Sequence, residues 1–290
     1  MFSPIAERWA KARSFHHSLY PPERIAAERA CSVSVCLPAR ECAATVGEIV
    51  AALVRLRDAG AIDEIAVVDA ASRDGTADVA RRAGAVVWQE AELLPAHGPV
   101  LGKGDAMWRA LSVLSGELVC FLDADSERFS EHFASGVLGP LVCERGVSFV
   151  KGYYRRPLAD GSGEDGGGRV NHLMARPALQ VFYPELARVR QPLAGEVAGR
   201  RELLESVPFA TGYGVEIGML IDVWRERGLD AIAQVDLDEH HNRHQPLSAL
   251  SPMAATVLAT IAARLEREGR LQGAAGAPLE RPPLASVKVA

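Results

Sequence analysis

The run Leu118-Val119-Cys120-Phe121-Leu122, followed at once by Asp123-Ala124-Asp125, constrains this chain more than any other stretch. Five apolar residues are far too few for a spanning helix but suit a strand buried on both faces, as in a parallel sheet. Two carboxylates one residue apart then emerge at the strand's carboxyl end, where open α/β sheets bind their ligands. An Asp-x-Asp in that place can hold a hard divalent cation against the diphosphate of a sugar nucleotide, steadying the charge that grows as the sugar leaves. The same residues could instead cap the amides of an ordinary turn, the commoner fate of an isolated Asp-x-Asp.

Strand and helix patterns alternate through the first half. Residues 33–37 read as a strand stopped by Pro38, and Val46, Ile49, Val50, Leu53 and Leu56 then recur at helical spacing. A second strand at 64–68 ends at Asp69, with Ser72 as N-cap of a helix reaching about Arg82. A third strand at 85–88, a helix near 104–114 and the Asp-x-Asp strand complete a βαβαβ order. That order predicts a Rossmann-like, mostly parallel sheet flanked by helices, with its site at the strand ends. The second half is less regular: a strand at 147–150, a Gly-rich loop at 161–168, an apolar helix at 215–224, a strand at 231–237 and a helix at 251–268. Residues 1–30 are read as an N-terminal helical extension, 31–145 and 146–268 as two halves of one domain, and 269–290 as a disordered tail with too little to bury.

Bulk properties exclude several classes. The chain of 290 residues, 48% hydrophobic, can bury a full core. A net charge of -5 without a long basic block argues against a nucleic-acid surface. Cys31, Cys36, Cys42, Cys120 and Cys143 are odd in number and lack C-x-x-C spacing, which fits a reducing cytoplasm. Residues 1–30 mix charges with short apolar pieces, unlike a signal peptide, and no run reaches the roughly 18 uncharged apolar residues of a membrane span.

Several motifs carry chemistry of their own. Gly102-Lys103-Gly104 opens a helix, so free amides and one ammonium converge where a diphosphate could lie. It is not a Walker loop, because Gly98 to Gly102 encloses three residues and Gly104 follows Lys103; nor is it a dinucleotide fingerprint, because Met107 replaces the third Gly. Gly166-Gly167-Gly168-Arg169 joins unhindered backbone to a guanidinium that can grip a phosphate or carboxylate, although many such segments are only flexible loops. In His240-His241-Asn242-Arg243-His244, zinc bound through His240 and His244 would lack further ligands, whereas one His joining Asp125 on a catalytic Mg2+ or Mn2+ is the better reading.

Pro38-Ala39-Arg40, Asp69-Ala70-Ala71-Ser72, Gly102-Lys103-Gly104, Asp123-Ala124-Asp125, the stretch from Lys151 to Pro157, Gly166-Gly167-Gly168-Arg169-Val170 and the stretch from Gly212 to Gly218 occur in this order. Together they resemble the glucosyl-3-phosphoglycerate synthase family, from about Val33 to the helix after Pro246. The resemblance implies a GT-A fold, UDP-glucose as donor, 3-phosphoglycerate as acceptor, retention at the anomeric carbon, a Mg2+ or Mn2+ ion and a homodimer. Residues 31–145 would bind the nucleotide sugar and 146–268 the acceptor. By the same resemblance Pro38, Ala39, Glu41, Asp69, Ser72, Lys103, Asp123 and Ala124 meet the nucleotide sugar, and Gly168, Arg169, Asn171, Tyr213 and Asn242 the acceptor. Asp125 holds the metal, joined by His244 because imidazole is a better ligand than the Asn242 amide, while Glu216, the Leu193 backbone and Asp123 position the reacting sugar. The chain departs from the family at Cys42, where a carboxylate is usual, at Asn171, where Thr is usual, and in the 240–244 loop. There an ungapped match sets Asn242 on the family's His and His244 on its Asn. Mannose transfer from GDP-mannose, a nucleotidyltransferase releasing pyrophosphate, and a non-catalytic sugar-nucleotide binder are the alternatives.

Overall fold

A computed structural model describes residues 3–157, 167–241, 246–273 and 279–287. In chain order the helices are α1 (Pro4–Ala12), α2 (Pro22–Glu28), α3 (Val46–Asp58), α4 (Thr76–Ala83), α5 (Lys103–Ala110), α6 (His132–Cys143), α7 (Arg176–Phe182), α8 (Arg201–Ser206), α9 (Val215–Arg227) and α10 (Leu247–Arg267). The strands are β1 (Ser14–His16), β2 (Val33–Ala39), β3 (Glu64–Asp69), β4 (Val86–Gln89), β5 (Leu118–Phe121), β6 (Phe149–Arg155), β7 (Val197–Arg200), β8 (Phe209–Ala210), β9 (Ile232–Glu239) and β10 (Glu280–Arg281). The main sheet has the order β1-β9-β6-β7-β5-β2-β3-β4. Every pairing in it is parallel except those of β7, which runs antiparallel to both β5 and β6. Alternate residues of β2 point to opposite faces. Val33, Val35 and Leu37 join a core layer with α3 and α6, while Cys36 joins the layer built around Trp108, Phe149, Phe209 and Ile261.

Pro38 does not stop its strand. β2 continues through it, with Pro38 opposite Val68 and Ala39 opposite Asp69. Leu122 N–H donates to Cys36 O, whereas Ala70 N–H donates to Ala39 O, so even-numbered residues here face β5. Pairing to β5 ends at Cys36, and the proline nitrogen therefore removes no ladder bond.

Two boundaries differ from the sequence reading. The N-terminal extension is not only helical: β1 pairs with β9 and closes one edge of the sheet. Three residues are too short for a periodic signal. At the other end, the expected disordered tail does not hold for residues 279–287. β10 pairs antiparallel with β8, and Trp108 Nε1–H donates to Pro282 O at 2.8 Å. Arg281 Nε reaches Asp105 Oδ1 at 2.5 Å, while Arg109 Nε reaches Asp105 Oδ2 at 3.0 Å, in a cluster almost sealed from solvent. Composition undercounted this segment because its anchor is a charged residue with a buried partner.

α10 begins at Leu247, four residues before the expected start. By length and composition it could cross a membrane. In this fold its fully buried Arg264 pairs with Asp222 of α9 and with Glu280, and Val257, Ile261 and Leu265 enter the core.

Candidate active site

The loops after β2, β3 and β5 are tied to one another at the carboxyl edge of the sheet. Glu41 N–H donates to Ser72 Oγ at 2.9 Å, Ala43 N–H to Asp74 Oδ2 at 2.9 Å, and Thr45 Oγ–H to Ala124 O at 2.6 Å. Glu41 and Ala71 both adopt left-handed backbone, at φ 54° and 55°, strain of a kind found where a binding loop is held in shape. Pro38 and the buried Ala39 form the floor of this edge. Ser72 is not the expected helix cap; Gly75 takes that position, and Asp74 Oδ1 accepts from Thr76 N–H at 3.0 Å. The buried Asp69 accepts from Gln89 Nε2 at 2.9 Å and from Ser72 N–H at 3.3 Å through Oδ2. Its Oδ1 has no partner among the described residues, a polar atom left for a ligand.

Cys42 is turned inward. Only 8% exposed, it packs in the α3 layer, its N–H donating to Thr76 Oγ1 and its thiol to Arg40 O. Burial pushes the thiol up to about 11. Position 42 cannot offer a side chain to the edge, and Glu41 is the carboxylate that stands there, its Oε1 accepting from Arg73 N–H at 2.9 Å.

Lys103 links the two halves of the site. As the first residue of α5 it follows Gly102, whose φ of 88° makes the turn from the preceding loop. Its Nζ lies 2.5 Å from Asp123 Oδ1 and 2.9 Å from Glu216 Oε1. Burial opposes the ammonium charge, but the Asp123 and Glu216 carboxylates outweigh it and hold the Lys103 pKa well above its ordinary value. Glu216 sits in the first turn of α9, directly after the Gly212–Gly214 turn that presents the half-exposed Tyr213. Gly104 brings α5 against β8, since a Cβ there would overlap Ala210 O.

Asp125 is exposed at the end of the loop and has no ion-pair partner among the described residues. Crowding in the cleft and the Asp123 charge raise its pKa, against the pull of Lys103 and His240. Such an uncompensated carboxylate fits a divalent cation. Asn242 and His244 lie outside the described residues, as does Gly166.

On the acceptor side, Gly168 adopts φ 69° and Arg169 opens the following helical segment. Asn171 begins a π-helical turn, Asn171–Ala175, a rare form frequent at functional sites. Its Oδ1 accepts from Leu193 N–H at 3.0 Å, so Asn171 and Leu193 are brought together. The structure thus gathers Lys103, Asp123 and Glu216 into one cluster, and Asn171 and Leu193 into a second contact.

Sequence reasoning missed the support beneath them. Gly195 lies flat on Asp123, because a Cβ there would overlap the carboxylate. Lys151 Nζ donates to Ala194 O at 2.5 Å, and burial lowers the Lys151 pKa to about 8. Buried His240 Nε2 stands 2.8 Å from Ser126 Oγ and 3.3 Å from Glu196 Oε1, with its ring stacked on Tyr154. Its Nδ1 is buried without a partner among the described residues, and His244, the other histidine of the zinc alternative, lies outside them. Burial disfavours the Glu196 charge, yet His240, the Tyr154 hydroxyl and Arg156 hold its pKa down at about 2. One sequence signal was available: Glu196 is a lone charge inside the run from Leu193 to Gly199.

Comparison with known proteins agrees with this geometry. Residues 34–138 match the model of glycosyl transferase family 2. The glucosyl-3-phosphoglycerate synthase of Mycolicibacterium smegmatis is 44% identical over 263 residues, covering 90% of this chain and 86% of the relative. Among solved structures, mannosyl-3-phosphoglycerate synthase from Rubrobacter xylanophilus superposes with a TM-score of 0.91 at 44% identity, covering 99% of this chain and all of that one. Glucosyl-3-phosphoglycerate synthase from Mycobacterium tuberculosis, solved with Mn2+, UDP-glucose and phosphoglyceric acid, gives 0.82 at 39% identity over 92% of this chain and 95% of that one. With the Asp-x-Asp edge, the Lys103 cluster and the Gly168–Arg169 turn all in place on a mostly parallel α/β sheet of GT-A type, this chain belongs to the glucosyl-3-phosphoglycerate synthase family.

Proposed function

We infer that this chain transfers glucose from UDP-glucose to the hydroxyl of 3-phosphoglycerate with retention at the anomeric carbon. The observation that carries the reading is the convergence of Lys103, Asp123 and Glu216 beside the uncompensated Asp125. Asp69, Ser72, Glu41, Pro38, Ala39 and Ala124 would line the nucleotide, with the unpartnered Asp69 oxygen facing a ligand donor. Asp125 and His244 would hold Mg2+ or Mn2+, which supplies charge neutralisation at the diphosphate when bound. Lys103, 2.5 Å from Asp123, would share its protons between the leaving diphosphate and that carboxylate. Asp123 and Glu216, both tied to that one ammonium, serve as charged anchors for sugar hydroxyls. The acceptor hydroxyl then approaches on the same face as the departing diphosphate, whose oxygen takes its proton, with the Leu193 backbone orienting the sugar. Gly168, Arg169, Asn171, Tyr213 and Asn242 would hold the acceptor's phosphate and carboxylate.

A second reading, mannose transfer, is favoured by the likeness to the Rubrobacter xylanophilus structure. The two hexoses have equal mass, so each donor must be tested singly with 3-phosphoglycerate. Release of UDP from UDP-glucose with a glucosylated product supports the first reading; turnover confined to GDP-mannose supports the second. On the acceptor side, Arg169→Lys keeps the charge but loses the planar fork, so the Michaelis constant for 3-phosphoglycerate should rise roughly tenfold to a hundredfold with UDP affinity nearly unchanged. Equal use of the acceptor by Arg169→Lys, Arg169→Ala and the parent would remove Arg169 from the acceptor site. The reading also includes a cytoplasmic homodimer. Five unpaired cysteines agree with a reducing compartment, and sedimentation tests the assembly.

A further inference from the structure

At the β1 end of the same carboxyl edge, the N-terminal extension brings two imidazoles to one carboxylate. His16 ends β1 and His17 begins the short turn His17–Leu19. Asp238 lies one residue from the end of the neighbouring β9, at φ 63°, a left-handed backbone uncommon outside glycine. From there its Oδ1 meets His16 Nε2 at 3.1 Å and its Oδ2 meets His17 Nε2 at 2.7 Å. The three ligand-bearing groups place their atoms within 4.8 Å of one another.

We propose that His16, His17 and Asp238 form a binding site for a divalent transition-metal ion of the zinc class. Ligand bonds of about 2.0–2.2 Å around a tetrahedral ion set the ligand atoms about 3.3 Å apart. His16 and His17 each meet a different oxygen of Asp238, and with one ligand atom per residue the three lie within 4.8 Å, so side-chain rotation has to bring both imidazoles and one oxygen onto a single ion. Two nitrogens and one oxygen leave the fourth position to water. With side-chain exposures of 45%, 18% and 56%, that position opens to solvent. The donor set separates this site from the donor-site cation. Imidazole nitrogen favours zinc over magnesium or manganese, whereas the carboxylate-rich Asp-x-Asp edge favours the harder ions.

The surrounding groups orient the ligands. Ser18 fixes the His16 ring, its backbone N–H donating to Nδ1 at 3.2 Å with its Oγ 2.8 Å from the same nitrogen, so an ion on Nε2 must move the ring proton from Nε2 to Nδ1, where Ser18 Oγ can accept it. The His17 ring is held between His16, at 4.5 Å between centroids, and His132, at 4.3 Å. His132 supports and does not ligate, since its Nδ1 meets Ser130 Oγ at 2.6 Å and its Nε2 meets Leu237 O at 3.1 Å. A bound ion would clip β1, and with it the extension, to β9.

The test uses the full chain stripped with chelator, then saturated with Mg2+ and UDP so that the donor site is filled. Zinc is titrated against a chromogenic competitor, and melting is followed with and without zinc. The parent should bind one zinc ion more than His16→Ala/His17→Ala, Asp238→Asn should lose at least tenfold in zinc affinity, and zinc should raise the melting temperature of the parent alone. Cobalt in place of zinc should give the intense visible bands of a tetrahedral ion. Equal zinc stoichiometry in parent and double variant overturns the proposal. So does loss of the zinc in Asp125→Ala with its retention in the histidine variants. A melt of each variant without metal shows that it is folded.

Discussion

Replacing Gly195 with alanine places a methyl group where the Asp123 carboxylate now lies. A Cβ built there overlaps both carboxylate oxygens and Cγ. The overlap is roughly 1 Å deeper than carbon and oxygen can pack. Neither side yields easily. Asp123 is held by Lys103 at 2.5 Å, and the segment carrying Gly195 is pinned by Lys151 Nζ on Ala194 O and by Gly152 N–H on Glu196 O at 2.8 Å. Asp123 must therefore swing off the ammonium, leaving Lys103 to Glu216 alone. A misplacement of about 1 Å in a reacting constellation can cost about a hundredfold in rate, or about 2.7 kcal/mol. We expect kcat/KM with UDP-glucose and 3-phosphoglycerate to fall about a hundredfold, and stability by about 1–3 kcal/mol as for other overpacked sites. Steady-state kinetics with each substrate varied, beside thermal melts, measures both. Gly136→Ala is the comparison, because its Cβ would meet the buried Leu237 Cδ2 at 2.6 Å and His17 Cβ at 3.0 Å and touches none of Lys103, Asp123 or Glu216, so it should lose stability while keeping its rate. Parental kcat/KM in Gly195→Ala would refute the placement of Asp123 against this glycine.

Three further outcomes follow from buried groups. Cys42→Glu forces a carboxylate into an apolar layer, so it should lose about 2–4 kcal/mol of stability by denaturant titration without improving UDP affinity; tighter UDP binding in a stable variant would show that position 42 faces the nucleotide. Burial, and then the Asp105 charge, push the Glu90 carboxyl from 4.5 to about 7. Because its folded pKa lies above the unfolded one, Glu90's contribution is fully present below pH 4.5 and is lost as pH rises through about 7. Glu90→Gln should therefore gain on the parent by roughly 1–3 kcal/mol at pH 8 and lose that advantage by pH 5, and parallel stability profiles would contradict it. Deleting 279–290 removes Arg281 from Asp105 and the Pro282 acceptor from Trp108. The loss should be about 3–5 kcal/mol, and an unchanged denaturation midpoint would show that the segment adds nothing.

Much of this protein was determined by local pattern. Continuous apolar runs at β2, β3 and β5 specify burial on both faces, and the helices between them specify parallel crossovers, so the donor half and its Asp-x-Asp edge were legible. Gly102-Lys103-Gly104 was legible too, because a helix start and its free amides are local events. Convergence was not. Lys103, Asp123 and Glu216 come from three separate segments, and only the strand order brings them to one ammonium. An apolar pattern records that a residue is buried, never what it is buried against. For that reason Gly195 under Asp123, Cys42 turned inward, Arg281 returning to Asp105 and the antiparallel β7 were decided by tertiary structure alone.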